Sequence, residues 1–340
     1  MSSLMLEEAL FAAEAVAAQH MYADEGLALL ARELAKAPPQ LALTVARGSS
    51  DHAANYFAYL AMQRTGTPVV SLPMSLLTLH HAPLQVKNQL AVALSQSGRS
   101  PDLVDTMSAL SAAGARTVAL VNQPESPLAA ACEWSLPLCA GAEKSVAATK
   151  SYIASLSAVA RLVAHWQQDE ALLAALAELP DALQQATRQD WSPAIEVLQH
   201  AERIMVVGRG LGFAVALESA LKFKETCAIQ AEAFSGAEIK HGPMALIDTG
   251  YPLLVYAPRG PEQAGLIALA DEMRGRGARV LLAAPADVAS RDLTLSVAGD
   301  TALDPLLAIQ SFYLMAARLS EARGLNPDEP RHLNKVTCTL

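Results

Sequence analysis

The sequence is poor in cysteine, in aromatic residues and in clustered positive charge, and it has no long uninterrupted apolar run. The four cysteines, Cys132, Cys139, Cys227 and Cys338, are scattered. Their spacing matches no zinc or redox motif and is far too sparse for a disulfide scaffold, so buried thiols in a reducing cytosol are expected. No run of Lys and Arg occurs and the net charge is −9. That excludes the clustered cations a phosphate-backbone binder needs. No stretch reaches the roughly 20 apolar residues of a membrane-spanning helix. Near the N-terminus, Glu7, Glu8 and Glu14 sit in an Ala-rich helical pattern without a basic n-region, which does not read as a signal peptide. His52, His80 and His81 have no carboxylate or thiol at ligand spacing, and neither a metal nor a redox cofactor is expected. The reading is a soluble, cytoplasmic protein that contacts neither nucleic acid nor membrane.

What is present is a large apolar complement. Hydrophobic residues make up 52% of the 340, with only 5% aromatics, so Ala, Leu and Val dominate and suit helices packed closely on a sheet. The length is comfortable for two domains. The chain also repeats itself. LALTVARGSSDHAANYFAYLAMQRTG from Leu41 lies over RIMVVGRGLGFAVALESALKFKETC from Arg203, each an apolar strand, an Arg-Gly turn and a helix. QLAVALSQSGRSPDLVDTMSALSAAGARTVALV from Gln89 likewise matches PLLVYAPRGPEQAGLIALADEMRGRGARVLLAA from Pro252. Near-continuous apolar strands over 41–46, 90–94, 117–121, 204–207, 253–256 and 280–283 alternate with helical patterns. Such alternation predicts parallel sheets covered by helices on both faces. The fold class is therefore α/β, with two tandem doubly wound (flavodoxin-like) domains joined through helical sequence around Ser157 to His200.

The two copies differ where chemistry would sit. After the strand at 90–94 the first has Ser95-Gln96-Ser97-Gly98-Arg99-Ser100, with Ser49 and Ser50 in its earlier glycine turn. Hydroxyls and N–H groups at a helix start form an anion site. The second copy has Ala257-Pro258-Arg259-Gly260-Pro261-Glu262, which does not suit phosphate. It carries instead Glu218, Lys222 and Glu225 on one helix, then Glu238, Lys240 and His241 in a short loop. Carboxylate, lysine and imidazole near a strand's C-terminal end are the inventory for moving a proton beside a carbonyl. Phosphate binding thus falls to the first copy and acid–base chemistry to the second. Each of these residues also has a purely structural reading. Glu218, Lys222 and Glu225 at i, i+4 and i+7 form a polar stripe that on spacing alone is more often a solvated face. Ser100 before Pro101 reads as an N-cap, a lone histidine in His-Gly-Pro as structural, and a lysine near a chain end as exposed.

Five segments, SQSGRSPD, EKSVAATKS, ALESALKFKE, AEIKHGPMALI and EPRHLNKVT, together resemble the sugar isomerase (SIS) domain family, in order and over nearly the whole chain. More closely, they are similar to the isomerase half of glutamine–fructose-6-phosphate aminotransferases. The resemblance implies a helical segment over 1–35, a first SIS domain over 36–180 and a second over 195–340. It implies a sugar-phosphate site of Ser49, Ser50, Ser95, Gln96, Ser97 and Ser100, lined also by backbone around Val146 and Ala147. Glu225 falls on the base that shuttles a proton between C1 and C2, Lys222 and Glu218 on supporting residues, and His241 on the ring-opening residue. In the family that histidine comes from a neighbouring subunit, so a homodimer with a shared site is implied. Lys335 falls on the C-terminal lysine able to form an imine with an open-chain ketose, in a tail that folds over the site. Two departures stand out: Ala148 replaces a usual serine, and Ser100 a threonine.

The chain begins Met1-Ser2-Ser3 and enters the isomerase-like region within about 40 residues, too few for the glutaminase domain of the synthase. The expectation is a stand-alone phosphosugar isomerase/deaminase, resembling the SIS-type glucosamine-6-phosphate deaminases. An isomerase or deglycase of another phosphosugar, and a synthase homologue without glutaminase, use the same groups. A non-catalytic sugar-phosphate sensor is the third reading; such regulators carry a helix-turn-helix ahead of the sugar domain, where this sequence has a short acidic helical segment.

Overall fold

A strand covered by helices on both faces can be apolar at every position, whereas an edge strand cannot. Both kinds form here. A computed structural model describes residues 3–335. The first sheet contains β1 (Ala42–Val45), β2 (Val69–Ser71), β3 (Leu90–Ser95), β4 (Arg116–Val121) and β5 (Trp134–Pro137), in the order β2-β1-β3-β4-β5. The second contains β6 (Arg203–Gly208), β7 (Gln230–Ser235), β8 (Pro252–Tyr256), β9 (Arg279–Pro285) and β10 (Leu293–Leu295), in the order β10-β9-β8-β6-β7. Every pairing is parallel. Read from the other edge, the second order repeats the first, so the expected pair of doubly wound, flavodoxin-like units is what forms.

The six central strands are those whose apolar runs stand out in the sequence. β2, β5, β7 and β10, all edge strands, do not stand out, and the structure adds them. β7 alternates or half-exposes its residues and β2 is largely exposed, which is how edge strands avoid presenting an apolar ladder to solvent.

The first unit comprises residues 14–143 and 150–177 with Asn334 and Lys335; the second comprises 3–13, 144–149 and 178–333. In the first, the helix Lys150–Gln167 is buried along almost its whole length and packs on the helices Asp24–Lys36 and Ser49–Thr65. Leu43, Val45, Ala91, Ala93, Leu103, Met107 and Leu110 form part of its core. In the second, the buried helix Asp304–Ala322 packs on Gly212–Cys227, where Phe223 and Phe312 meet edge to face at 5.1 Å.

Among the described residues no helix is long and apolar enough to cross a membrane. Of the cysteines expected to be buried, Cys227 is, while Cys132 and Cys139 are only partly covered. Cys338 lies outside the described residues. Burial pushes the Cys132 thiol up to about 12 and that of Cys227 up to about 11, so neither is a ready nucleophile.

Candidate active site

In a doubly wound sheet the strand order reverses at one point, and the loops after the two strands flanking it diverge to leave a crevice. In the first unit those strands are β1 and β3, paired in register from Ala42↔Leu90 to Val45↔Ala93. The residues that follow them are the two serine groups expected from the sequence. Ser49 and Ser50 open the helix Ser49–Thr65 behind Gly48, whose φ of +54° makes the turn. Ser95 ends β3, is buried, and its hydroxyl accepts the Gly98 N–H at 2.9 Å. Ser97 Oγ accepts the Arg99 N–H at 3.3 Å. Ser100 occupies the N-cap position of the helix Pro101–Ala112, but its side chain makes no cap hydrogen bond. The simple capping reading therefore does not use up its hydroxyl.

The two loops are tied together. Arg47, from the first turn, donates to Asp102 at 3.0 Å, and Asp102 is buried at the start of the second helix. Gly98 has φ +63°, and an added Cβ would lie 2.1 Å from Ser126 Oγ and 2.8 Å from Val121 Cγ2. Only glycine fits there. Asp51, in the first turn beside the serines, is held above the usual carboxylate range chiefly by burial. Two helix N-termini, several hydroxyls and an anchored arginine make this crevice suited to an anion.

The corresponding place in the second unit is filled by its own side chains. Arg259 pairs with buried Asp304 through two hydrogen bonds of 2.8 Å and donates to the Ala298 carbonyl. A Cβ on Gly210 would meet the Glu262 carboxylate at 2.4 Å. A carboxylate in the crevice repels phosphate.

The helix Gly212–Cys227 carries the acid–base groups of this unit. Spacing alone favoured a solvated stripe, and the packing overturns that for two of its three members. Glu218 and Lys222 have side-chain exposures of 0% and 1%. The Lys222 ammonium donates to Glu225 at 2.5 Å and lies 3.3 Å from Glu218, which also accepts from the buried Tyr313 hydroxyl at 3.0 Å. Burial works to strip Lys222 of its proton, but the two carboxylates outweigh it and hold the amine above its ordinary value of 10.5. Lys222 is therefore placed as a fixed cation between two carboxylates. Glu225 keeps 22% of its side chain exposed and lines a cavity of about 640 Å³ with Lys224, Thr226, Asn326, Glu329 and Arg331.

The remaining expected residues are placed as follows. His241 is exposed on the loop after a short 3-10 turn (Glu238–Lys240) and does not line the Glu225 cavity of its own chain. Lys240 is engaged by Glu272 at 2.7 Å. Lys335 lies 3.1 Å from the carboxylate of Glu143, a buried residue that also accepts from the Ser151 N–H and hydroxyl. Val146 is partly buried and donates its N–H to the Asp328 carbonyl at 3.4 Å, and Ala147 is buried. The tail beyond Lys335 lies outside the described residues. No role was read from the sequence for Glu143, Asp102 or Tyr313, because Lys335, Arg47 and Glu218, with which they pair, stand 192, 55 and 95 residues away along the chain.

Together these features define a tandem flavodoxin-like protein whose first unit offers an anion-suited switch point and whose second offers a lysine-bridged carboxylate beside a cavity. The SIS domain family model matches residues 34–164 and 197–285, and the chain belongs to that family. It is similar to the isomerizing glutamine–fructose-6-phosphate aminotransferase of Methanothermobacter thermautotrophicus, 33% identical over 301 residues. That match covers 86% of this chain and 50% of the relative, so the chain spans about half the length of the curated relatives it matches. A crystal structure from Silicibacter pomeroyi DSS-3, described as a candidate phosphosugar isomerase, is 38% identical with a TM-score of 0.91, covering 96% of this chain and 100% of its own. The glucosamine-6-phosphate deaminase of Thermotoga maritima shares the fold, with a TM-score of 0.78 at 22% identity, over 99% of this chain and 100% of its own.

Proposed function

We propose that this chain is a phosphosugar isomerase-type enzyme that acts as a glucosamine-6-phosphate deaminase, giving fructose 6-phosphate and ammonia. The observation that carries the reading is the Glu218–Lys222–Glu225 relay. A buried lysine whose charged form is favoured by its two carboxylate partners holds one of them, Glu225, at a cavity where it can reach a substrate. The similarity to isomerizing aminotransferases and to a candidate phosphosugar isomerase supports the substrate class.

In this mechanism Ser49, Ser50, Ser95, Gln96, Ser97 and Ser100 bind the phosphate, and the backbone at Val146 and Ala147 lines the sugar. His241 of a neighbouring subunit moves the proton that opens the ring; its exposure on its own chain is what such a role requires. Glu225 removes the C2 proton of the open aldose and returns it at C1 through an enolamine. Lys222 fixes the orientation of Glu225 and offsets its charge, with Glu218 holding Lys222 from behind. Water then adds to the C2 imine of the ketose and ammonia leaves, so that one water is consumed for each ammonia released. Lys335 is suited to contact the open-chain carbonyl end.

The test is to incubate the purified protein with glucosamine 6-phosphate and assay ammonia and fructose 6-phosphate. Both products are expected in equal amounts from the wild type, and Glu225→Gln should abolish turnover while largely sparing phosphate binding. Interconversion of another aldose–ketose pair without ammonia would sink the deaminase reading, and full activity in Glu225→Gln the base assignment.

A further inference from the structure

The helix Leu4–Leu10 has an N-cap serine, Ser3, whose side chain does not cap it. Its first N–H groups are satisfied from the far end of the chain: Leu4 and Met5 donate to the two carboxylate oxygens of Asp328 at 2.9 and 2.7 Å. On the next turn Glu8, only 7% exposed, turns its carboxylate onto the backbone of another segment. It accepts the N–H of Lys144 at 2.5 Å and of Ser145 at 3.1 Å. The following N–H, that of Val146, goes to the carbonyl of the same Asp328 at 3.4 Å. The hydrogen bonds thus close a ring of three pieces within the second unit: the helix, the backbone at 144–146, and the strap around Asp328. Neighbours of Asp328 on that strap, Asn326, Glu329 and Arg331, line the cavity at Glu225.

We infer that Glu8 and Asp328 are positioning residues for the site, and that the N-terminal helix is a clamp on the 144–147 backbone. In a trans peptide N–H and C=O point in opposite directions. Fixing the Ser145 N–H on the Glu8 carboxylate and the Val146 N–H on the Asp328 backbone carbonyl therefore fixes the direction of the Lys144 and Ser145 carbonyls as well. A carboxylate is the side chain suited to this task, because it is acceptor-only and has an oxygen for each of two consecutive donors. Charge-assisted bonds of this kind are about twice as strong as neutral ones. An ordinary packing helix would need no buried acid at this position. The clamp rests on the proposed function, in which the backbone at Val146 and Ala147 lines the sugar.

The experiment uses the full chain and compares wild type, Glu8→Gln and Asp328→Asn. Glu8→Gln keeps the size of the side chain but leaves only one acceptor for two donors. Hydrogen–deuterium exchange over the 144–147 peptide, thermal midpoint, and kcat and KM for glucosamine 6-phosphate are measured on each. In Glu8→Gln exchange over 144–147 should rise, and KM should rise about tenfold while kcat stays within about threefold, since Glu225 is intact. Asp328→Asn, which retains the backbone carbonyl, should show the same pattern more weakly. Unchanged exchange in both variants overturns the clamp, and raised exchange with unchanged KM overturns its positioning role. A lower thermal midpoint with unaltered KM likewise reduces it to packing. If the wild type neither binds nor turns over glucosamine 6-phosphate, the proposed function fails first and takes the positioning role with it.

Discussion

Glu218 and Glu225 lie on the same stripe of one helix, yet the first is fully buried and the second meets a cavity. Lys222 between them is the residue whose environment matters most. Removing one partner from a buried ionic group leaves uncompensated charge, at a cost of about 3–5 kcal/mol. Lys222→Met should therefore lower stability by about 3 kcal/mol at neutral pH, by removing the cation beside the buried Glu218 carboxylate. The lysine is held above its ordinary 10.5 in the fold. Its stabilising contribution is accordingly complete below that value and is lost as pH rises through the folded-state value. Denaturant titrations should show the gap between wild type and Lys222→Met closing only in strong alkali. A gap that closes near neutrality would mean that Lys222 is not the fixed cation described above.

At the scale of elements, the loop between β3 and the helix Pro101–Ala112 depends on one backbone conformation. Gly98→Ala places a side chain at φ +63° and against Ser126 and Val121. The strain of a left-handed non-glycine residue is about 1 kcal/mol before the clash is counted. The expected outcome is weaker binding of fructose 6-phosphate by calorimetry, with a smaller loss of thermal stability; binding equal to wild type would refute the loop's role. The six central strands and the helix starts were legible in the sequence, because burial on both faces leaves an unbroken apolar run. β2, β5, β7 and β10 were not, since edge strands mix polar and apolar positions and resemble loops. The burial of Glu218 and Lys222 was equally hidden. An i, i+4 pair has the same spacing whether a helix faces solvent or, as here, the helix Asp304–Ala322.

For the whole molecule, the proposed function divides labour between two units of one topology. The first has serines after β1 and β3, and the second has Arg259 paired with Asp304 and Glu262 beside Gly210 at the corresponding place. The proposed function adds a second level of sharing, with His241 supplied across a homodimer. Glu225→Gln and His241→Asn should each be inactive alone. If each site takes one group from either chain, random mixing of the two variants should restore about a quarter of wild-type activity, because half the dimers are mixed and each has one intact site. No restoration after verified subunit exchange would place His241 in the same chain's site as Glu225, and activity of His241→Asn alone would place it outside catalysis.

By itself the sequence determined the α/β class, the twofold repeat, the serine-rich loops and the helix bearing Glu218, Lys222 and Glu225. All of these are written in local periodicity or in the comparison of one half with the other. Only the tertiary structure decided which charges are buried, which edge strands complete each sheet, and which distant groups meet. Glu8 reaches Lys144 and Ser145 across 136 and 137 residues, and Lys335 reaches Glu143 across 192. Such pairings leave no local signal, because the hydrogen bond depends on where two backbones are brought by packing and not on what stands beside either residue in the chain.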